Sequence, residues 1–412
     1  MSESYIQGLI ADRIGGRQFG KDTVIYKFER IKRAKAAAKA AHPEREIIDM
    51  GVGEPDAPAR KEIVEVLAQA ALDPANRFYA DNGIDEYKRA AAEYLARVYG
   101  VEGIDPDTQI NHAIGSKSAL ALLPYAFINP GDVVLQTVPG YPVLATISTW
   151  LGGIAYNLPL TEENGFLPDL DSIPPEVARK AKLMYLNYPN NPTGAAATPE
   201  FFERVIHFAR KHELVVVHDA AYGALVFDGA KPLSFLSLPG ADDVGVEVHS
   251  MSKAFNMTGW RLGFVAGNPL VVKAFATVKD NNDSGQFRAI QLASAYALGH
   301  PEWTEETAEK YSRRHDMLVE VLREAGFDAK KPKGTFFLYV KAPRGVVGGP
   351  TFDSAAAFSE YLIQEQSIST VPWDDAGAYV RWSVTYEAAT VEEERRVMEE
   401  LRRRLRQLRF IF

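Results

Sequence analysis

Four short segments of the chain carry side chains whose types and spacing could do chemistry. They are Gly115-Ser116-Lys117, Asn187–Gly194, Asp219–Tyr222 and Ser250–Lys253. Each one directly follows a short apolar run, so we expect all four at the carboxyl ends of strands, where parallel α/β sheets bind their ligands. Each segment alone is ambiguous, and their combination predicts a single site.

Lys253 is the candidate nucleophile. A lysine forms Schiff bases once burial or neighbouring charges have removed its proton. A lone lysine is usually a solvated surface group, but here Ser250 and Ser252 precede it and Arg261 follows eight residues later. Hydroxyls and a guanidinium suit a phosphate dianion. Ser116 starts a helical pattern whose free N–H groups could form a second anion site, although an ordinary N-cap serine is the favoured explanation of this motif taken alone.

Asp219 ends a strongly apolar strand, and a buried carboxylate is costly without a cationic partner. The N–H of a pyridinium ring would be such a partner and would keep that ring an electron sink. Tyr222 could then reach the ring's phenolic oxygen, although an N-cap aspartate beside a core tyrosine is a common alternative. Asn191 lies in Asn187-Tyr-Pro-Asn-Asn-Pro-Thr-Gly194, where prolines and glycine fix a turn. The exact amino-acid sequence of this turn is the most specific signal in the chain.

With these segments in view, the sequence resembles the class I and II aminotransferases of pyridoxal-phosphate (PLP) fold type I, over nearly the whole chain. The resemblance implies that Lys253 holds PLP as a Schiff base and that Asp219 pairs with the pyridine nitrogen. Tyr222 and Asn191 are implied partners of the ring's O3′ oxygen. The other implied cofactor contacts are the phosphate ligands Ser116, Ser250, Ser252 and Arg261, with Lys117 beside them, and Tyr141 stacked on the ring.

The resemblance also implies how substrate is bound. Arg381, in Tyr-Val-Arg-Trp-Ser, matches the arginine that binds the substrate α-carboxylate in a bidentate ion pair. Gly53 lies in the turn whose backbone touches that carboxylate. Tyr79 matches the tyrosine that reaches the phosphate of a neighbouring subunit, so a homodimer with shared active sites is expected. The residues implied at the substrate are Tyr26, Gly53, Lys117, Tyr141, Asn191 and Arg381.

Within the family, two features favour the LL-diaminopimelate aminotransferases: Lys117 directly after the phosphate-loop serine, and Tyr26 in Tyr-Lys-Phe-Glu-Arg-Ile. They predict amino transfer between LL-2,6-diaminopimelate and 2-oxoglutarate, a reaction of lysine biosynthesis. Lys117 could instead only neutralise the cofactor phosphate. Either Asn281 or Asn282 could enter the site. Aspartate, alanine or aromatic amino acids remain alternative substrates, and a PLP-dependent lyase on the same fold remains an alternative activity.

Composition excludes several other classes. The chain has 412 residues and a net charge of −8, which argues against nucleic-acid or acidic-membrane partners. It has no cysteine, so disulfides, thiolate metal sites and cysteine nucleophiles are excluded, and no metal is expected.

No signal peptide or membrane span is visible, which predicts a cytoplasmic protein. No G-x-G-x-x-G follows an early strand, which disfavours a dinucleotide-binding oxidoreductase. The 45 or so residues before Ile47 leave no room for the DNA-reading domain of a PLP-sensing regulator.

The elements that must position these residues follow a clear order. Short β-rich runs alternate with helical patterns from about 60 to 300, which predicts an α/β fold with a mostly parallel sheet, seven-stranded by resemblance. A smaller α+β domain follows. We expect an amino-terminal arm and helix at 1–50, a large PLP-binding domain at 51–300 and a small domain at 301–412. Related folds also predict cis peptide bonds at Val138-Pro139 and Asn191-Pro192.

Overall fold

The computed structural model describes residues 5–21 and 27–412. The α-helices in this part of the chain are α1 Lys27–Ala41, α2 Lys61–Leu72, α3 Asp85–Tyr99, α4 Ser116–Phe127, α5 Val143–Trp150, α6 Pro175–Ala178, α7 Pro199–His212, α8 Ala241–Val244, α9 Pro269–Asp280, α10 Arg288–Leu298, α11 Glu302–Glu324, α12 Ala355–Gln366 and α13 Val391–Leu405. Short 3-10 helices lie at Tyr5–Leu9, Asp12–Ile14, Gly16–Gln18, Pro74–Arg77, Glu162–Asn164, Leu170–Ser172, Phe235–Ser237 and Thr258–Trp260.

The strands form one large sheet and three small ones. Their bounds are β1 Ile48–Asp49, β2 Ile110–Ala113, β3 Val133–Val138, β4 Ile154–Pro159, β5 Ala181–Asn187, β6 Val215–Asp219, β7 Gly245–Ser250, β8 Gly263–Gly267, β9 Phe337–Lys341, β10 Gly345–Val346, β11 Ile368–Ser369, β12 Val371–Trp373, β13 Tyr379–Ser383 and β14 Phe410–Ile411. The small sheets pair β1 with β11, β10 with β14, and β12 with β13 and β9.

The large sheet has seven strands in the order β2-β8-β7-β6-β5-β3-β4. Its central strands are apolar and buried on both faces, as parallel strands covered by helices are. Strand β8 alone runs antiparallel to its neighbours β2 and β7. The predicted mostly parallel α/β sheet is therefore confirmed. The short buried strand β8, rich in glycine and alanine, was not foreseen.

The register of the sheet gathers the ends of its central strands. Asn187 at the end of β5 pairs with Asp219 at the end of β6, and Asp219 pairs in turn with Val248 on β7. Ser250, the last residue of β7, lies opposite Gly263 on β8. Three of the four candidate segments therefore begin at one edge of the sheet, as the strand order requires.

The three-stranded sheet lies in the carboxy-terminal part of the chain, and its middle strand β13 carries Arg381. In the antiparallel pairing Arg381 lies opposite Tyr339 on β9 and Val371 on β12, so the three side chains share one face. The sequence pattern of residues 335–340 predicts a strand there, which is wrong at its start: Thr335 has a left-handed φ of 67°, and β9 begins at Phe337.

Packing of the terminal helices follows from their sequences. Helix α1 packs on α12. Helix α13 begins with a capping box of Thr390 and Glu393 and ends in arginines, which suits the helix dipole. Among residues 5–21 and 27–412, no helix is long and apolar enough to cross a membrane.

Candidate active site

Lys253 follows the end of β7 and points toward the turn that contains Gly53. Its Nζ donates a hydrogen bond to the Gly53 carbonyl at 2.8 Å, and Nζ lies 6.0 Å from the centre of the Tyr222 ring. Burial, helped by the charges of Arg381 and Arg261 and opposed by that of Glu54, lowers the pKa of Lys253 to about 8. An amine with this pKa is partly neutral at physiological pH, as a nucleophile must be.

Asp219 is a buried carboxylate that receives only neutral donors. Its Oδ1 accepts from the Ala221 amide at 3.1 Å, and its Oδ2 accepts from the Tyr185 hydroxyl at 3.1 Å. Burial raises the pKa of Asp219, and the hydrogen bonds only partly offset this. Within the described residues, no lysine, arginine or histidine lies at ion-pair distance from it. The buried carboxylate therefore has no compensating cation in the described part of the chain.

A cradle for an anion forms where α4 begins. Gly115 has a left-handed φ of 75°, and a Cβ there would overlap the guanidinium of Arg261. The missing side chain lets Arg261 lie against the first turn of α4, beside Ser116. One N–H of Arg261 donates to the Thr258 carbonyl at 2.8 Å, and no described carboxylate lies at ion-pair distance from its guanidinium. Helix N–H groups, hydroxyls and this guanidinium are the donor set that a phosphate requires.

The other two serines of the cradle, Ser250 and Ser252, lie at the end of β7 and just after it. The Ser250 hydroxyl accepts a hydrogen bond from the Ser252 amide at 3.1 Å, which shapes the loop between β7 and Lys253. Gln286 donates to the carbonyls of Trp260 and Arg261, both at 2.9 Å, and so braces the loop that carries the guanidinium. The predicted phosphate residues are therefore brought together.

Arg381 is a buried arginine without a carboxylate partner among the described residues. Its two terminal nitrogens donate to Asn191 Oδ1 at 3.0 Å and to the Gly51 carbonyl at 3.2 Å, and its guanidinium lies 3.9 Å from the centre of the Phe337 ring. Its Nε is buried and has no hydrogen-bond partner. Burial lowers the pKa of Arg381 to about 10. A cation in this state gains from a carboxylate ligand.

The Asn187–Gly194 turn joins Asp219 to Arg381. Asn187 donates from Nδ2 to the Asp219 carbonyl at 2.9 Å and accepts the Asn191 amide on Oδ1 at 2.9 Å. Asn191 then accepts from Arg381. The Val138-Pro139 and Asn191-Pro192 peptides are cis, as predicted, and Tyr188-Pro189 is a third cis peptide that was not predicted.

Three further candidates are Tyr141, Gly53 and Lys117. Tyr141 is half-buried after β3, and Tyr141 and Tyr222 both act electrostatically on the buried hydroxyl of Tyr185. A Cβ added to Gly53 would lie 3.9 Å from Arg381, so the Gly53 turn adjoins the arginine as predicted. Lys117 is exposed in the first turn of α4, and no described residue bonds or pairs with its ammonium.

Three predicted residues are not brought to the group within one chain. Tyr79 is 79% exposed, and its carbonyl accepts a hydrogen bond from Arg288. Asn281 and Asn282 are exposed where α9 ends, and within the described chain their side chains donate only to the Thr277 carbonyl and to Asp283. Tyr26 lies outside the described residues.

Tyr185 is a site residue that sequence reasoning missed. It lies in the middle of buried β5, where a tyrosine is easily taken for core, and its hydroxyl reaches Asp219. The signal was a hydroxyl two residues before Asn187 on an otherwise aliphatic strand, since residues two apart share a face.

A family model described as aminotransferase class I and II matches residues 45–401. The chain belongs to this family. It is an enzyme, a transaminase, and membership implies PLP as its cofactor.

Relatives and solved structures agree with this assignment. The LL-diaminopimelate aminotransferase of Methanocaldococcus jannaschii is 59% identical and aligns over 98% of both chains. That of Methanococcus maripaludis is 56% identical over the full length of both. Among solved structures, substrate-bound BacF from Bacillus subtilis has a TM-score of 0.85 and 34% identity, covering 97% of this chain and 98% of that one. A mutant aspartate aminotransferase of Thermus thermophilus has a TM-score of 0.82 and 26% identity, covering 96% and 99%.

The residues present in this aminotransferase fit PLP. Its phosphate would meet the cradle of Ser116, Ser250, Ser252 and Arg261, whose guanidinium lacks a described carboxylate. Its ring nitrogen would supply the cation that buried Asp219 lacks, and Lys253 is a partly neutral amine nearby. The charges that the described residues leave uncompensated are therefore complementary to those of the cofactor.

Proposed function

We propose that the enzyme transfers an amino group between LL-2,6-diaminopimelate and 2-oxoglutarate, a step of lysine biosynthesis. One observation carries the proposal: besides Lys253 and Arg261, which the cofactor would engage, two cations of the site have no carboxylate partner in the described chain. Arg381 is buried beside Asn191, and Lys117 is exposed at the start of α4. A substrate with two carboxylates would satisfy both. The names of the relatives at 59% and 56% identity support the same substrate.

Bound PLP supplies an electron sink that makes the α-hydrogen of an amino acid acidic. Lys253 would hold the cofactor covalently and then, once released, carry the proton from the substrate Cα on its Nζ. Its lowered pKa suits both tasks, because an amine that is partly neutral near pH 7 can accept a proton and give it back.

The remaining cofactor contacts are proposed from the arrangement around Lys253. Asp219 would accept a hydrogen bond from the protonated ring nitrogen and Tyr185 would help hold that carboxylate, while Tyr222 and Asn191 would donate hydrogen bonds to the ring's phenolic oxygen. Tyr141 would cover the ring. The phosphate would be bound by Ser116, Ser250, Ser252 and Arg261.

Arg381 would orient the substrate through its α-carboxylate. The guanidinium is held on one side by Asn191 and Gly51 and on its face by Phe337, so its direction is fixed before substrate arrives. The backbone around Gly53 adjoins it. A fixed arginine presents paired donors to a carboxylate and keeps the Cα–H bond in one orientation relative to Lys253.

The test of the proposal is Lys117→Ala, compared across amino donors. We expect about a hundredfold loss in kcat/KM for diaminopimelate, equal to about 2.7 kcal/mol, and little loss for alanine or phenylalanine. PLP affinity should change only modestly, because Arg261 and the serines remain. Equal losses for all donors together with weak PLP binding would assign Lys117 to the phosphate alone. Turnover of alanine or aspartate without turnover of diaminopimelate would refute the proposed substrate.

We also propose a homodimer with shared active sites, in which Tyr79 reaches the cofactor phosphate of the partner subunit. Its 79% exposure leaves the side chain available for such a contact. Mixing inactive Lys253→Ala chains with inactive Tyr79→Ala chains should restore part of the activity through hybrid dimers. An active species that is strictly monomeric in ultracentrifugation would contradict this.

The division of the chain into domains at residues 50 and 300 stays a prediction.

A further inference from the structure

A buried polar network lies on the opposite face of the large sheet from Asp219. Its centre is Glu247 on β7, which is fully buried and lies opposite His218 on β6. Because side chains alternate along a strand, His218 points away from the cofactor face while its neighbour Asp219 faces it. None of the roles assigned above to catalysis or binding uses this network.

The carboxylate of Glu247 is saturated with donors. Oε2 accepts from His218 Nδ1 at 2.8 Å and from the Phe235 amide at 2.7 Å. Oε1 accepts from His249 Nε2 at 2.6 Å and from the Ser234 hydroxyl at 2.7 Å. Burial alone would raise the pKa of Glu247, but His249 and His218 outweigh it and hold that pKa below its ordinary value. An ionised carboxylate has only acceptors, so both imidazole nitrogens that face it carry hydrogens.

The other nitrogen of His218 fixes the state of the ring. The backbone N–H of Tyr188 donates to His218 Nε2 at 3.2 Å. A backbone amide can only donate, so Nε2 must keep its lone pair. His218 is therefore the neutral tautomer with its hydrogen on Nδ1. Protonation of Nε2 would set two N–H groups against each other inside a fully buried site.

We propose that His218 is a positioning residue, which holds the backbone of Tyr188 and so fixes the turn that presents Asn191 to Arg381. The turn is held twice by the end of β6. Asn187 donates a hydrogen bond to the Asp219 carbonyl, and His218 accepts a hydrogen bond from the Tyr188 amide. The proposal rests on the proposed function only in giving Asn191 and Arg381 to the substrate.

The first test reads the hydrogen bond directly and needs no turnover. In cofactor-free protein with ¹⁵N-labelled histidine, His218 should be the Nδ1–H tautomer throughout the pH range in which the enzyme is active. In hydrogen-exchange mass spectrometry, the peptide that contains Tyr188 should exchange at least about tenfold faster in His218→Asn than in wild type, since a hydrogen-bonded buried amide exchanges only on opening. A His218 that carries its hydrogen on Nε2, or unchanged exchange in the variant, would overturn the proposal.

The second test compares two variants that disturb the same carboxylate. The amide of His218→Asn can still donate to Glu247 but leaves Tyr188 without an acceptor. Ser234→Ala removes one donor from Glu247 and does not touch the turn. We expect KM for the amino donor to rise about tenfold, or about 1.4 kcal/mol, in His218→Asn with a smaller change in kcat, and to stay within twofold in Ser234→Ala. Equal KM changes in the two variants would mean a general packing effect and would overturn the proposal.

Failure of the site assignment would look different. Arg381→Lys serves as the reference, because it alters the proposed carboxylate contact itself. If Arg381→Lys raises KM steeply and His218→Asn does not, the positioning role is wrong and the site stands. If neither variant changes KM, the proposed role of Arg381 is wrong, and the tautomer and exchange measurements alone decide on His218.

Discussion

Two buried arginines of this aminotransferase have opposite surroundings. Arg314 on α11 is fully buried, and every N–H of its guanidinium is used. It donates to Glu394, to Asp56 and to the carbonyls of Val384, Tyr386 and Ala388 at 2.8 to 3.0 Å. Arg381 donates only to an amide oxygen and a carbonyl, and its buried Nε has no partner.

The difference separates a structural charge from a binding charge. A buried guanidinium that is fully paired needs nothing more. Removing Arg314 takes one cationic partner from each of the buried carboxylates Asp56 and Glu394, which then pair only with Lys310 and Arg313. A buried guanidinium without a carboxylate costs free energy until a ligand provides one. Asp219 is the anionic counterpart of Arg381, because it too is buried without an ion-pair partner in the described chain. Charges of this second kind mark the site.

The largest effect that the comparison predicts is for Lys253→Ala. Turnover should fall at least about a thousandfold, because the covalent link to the cofactor and the proton carrier are lost together. The melting temperature should hardly change, since Lys253 bonds only to a carbonyl and has no ion-pair partner. Steady-state kinetics and calorimetry measure both. A variant that still forms a borohydride-reducible bond to PLP would contradict the assignment.

Arg314→Met should have the opposite effects, a large loss of stability with a small loss of activity. Leaving Asp56 and Glu394 without this partner should lower the free energy of unfolding by about 3–5 kcal/mol, with kcat of the folded fraction within a few-fold of wild type. Arg313→Met is the matched control, because Arg313 pairs with the same Glu394 but is 42% exposed. It should cost less than about 1 kcal/mol. Equal losses of unfolding free energy in Arg314→Met and Arg313→Met, measured by urea unfolding, would contradict the special structural role of the buried Arg314.

Arg381→Met should cost about a hundredfold in kcat/KM, equal to about 2.7 kcal/mol, through loss of carboxylate binding. Stability should stay constant or rise, because an unpaired buried charge is removed. Unfolding in urea with and without a dicarboxylate ligand checks this, since the ligand should stabilise wild type and not the variant. A stability loss as large as that of Arg314→Met would make Arg381 a structural residue.

Sequence reasoning located the site because its residues follow strands. Apolar runs ending in Asp219 and before Lys253 placed both at the carboxyl edge of a parallel sheet, and the turn at 187–194 was recognised by its prolines and glycine. The roles at these positions came from resemblance, since periodicity alone could not separate a cofactor ligand from an N-cap.

What the sequence could not provide depends on contacts between distant segments. Arg314 and Arg381 look alike in sequence, and only folding pairs one with Asp56, 258 residues away. Tyr185 and His218 sit inside apolar strands, where the side that a polar group faces depends on its neighbours in the sheet. Strand β8 consists largely of glycine and alanine, which are depleted in strands, so its sequence carried little β-strand signal.

The smallest predicted effect concerns the pH dependence of cofactor attachment. The folded-state pKa of Lys253 is about 8, below the ordinary 10.5, and only the neutral amine attacks. The rate at which cofactor-free protein binds PLP covalently should therefore fall about tenfold for each pH unit below about 8 and level off above it. Borohydride trapping and mass spectrometry measure that rate.

Variants then connect this pH profile to the two arginines. Arg381 lowers the pKa of Lys253 and Glu54 raises it, so Arg381→Met should move the midpoint to higher pH and Glu54→Gln to lower pH. Arg314→Met should leave it in place, because the charge of Arg314 is compensated by Asp56 and Glu394. A flat profile between pH 6 and 8, or a midpoint that moves equally in both arginine variants, would show that the unpaired charge of Arg381 does not act on the reacting amine.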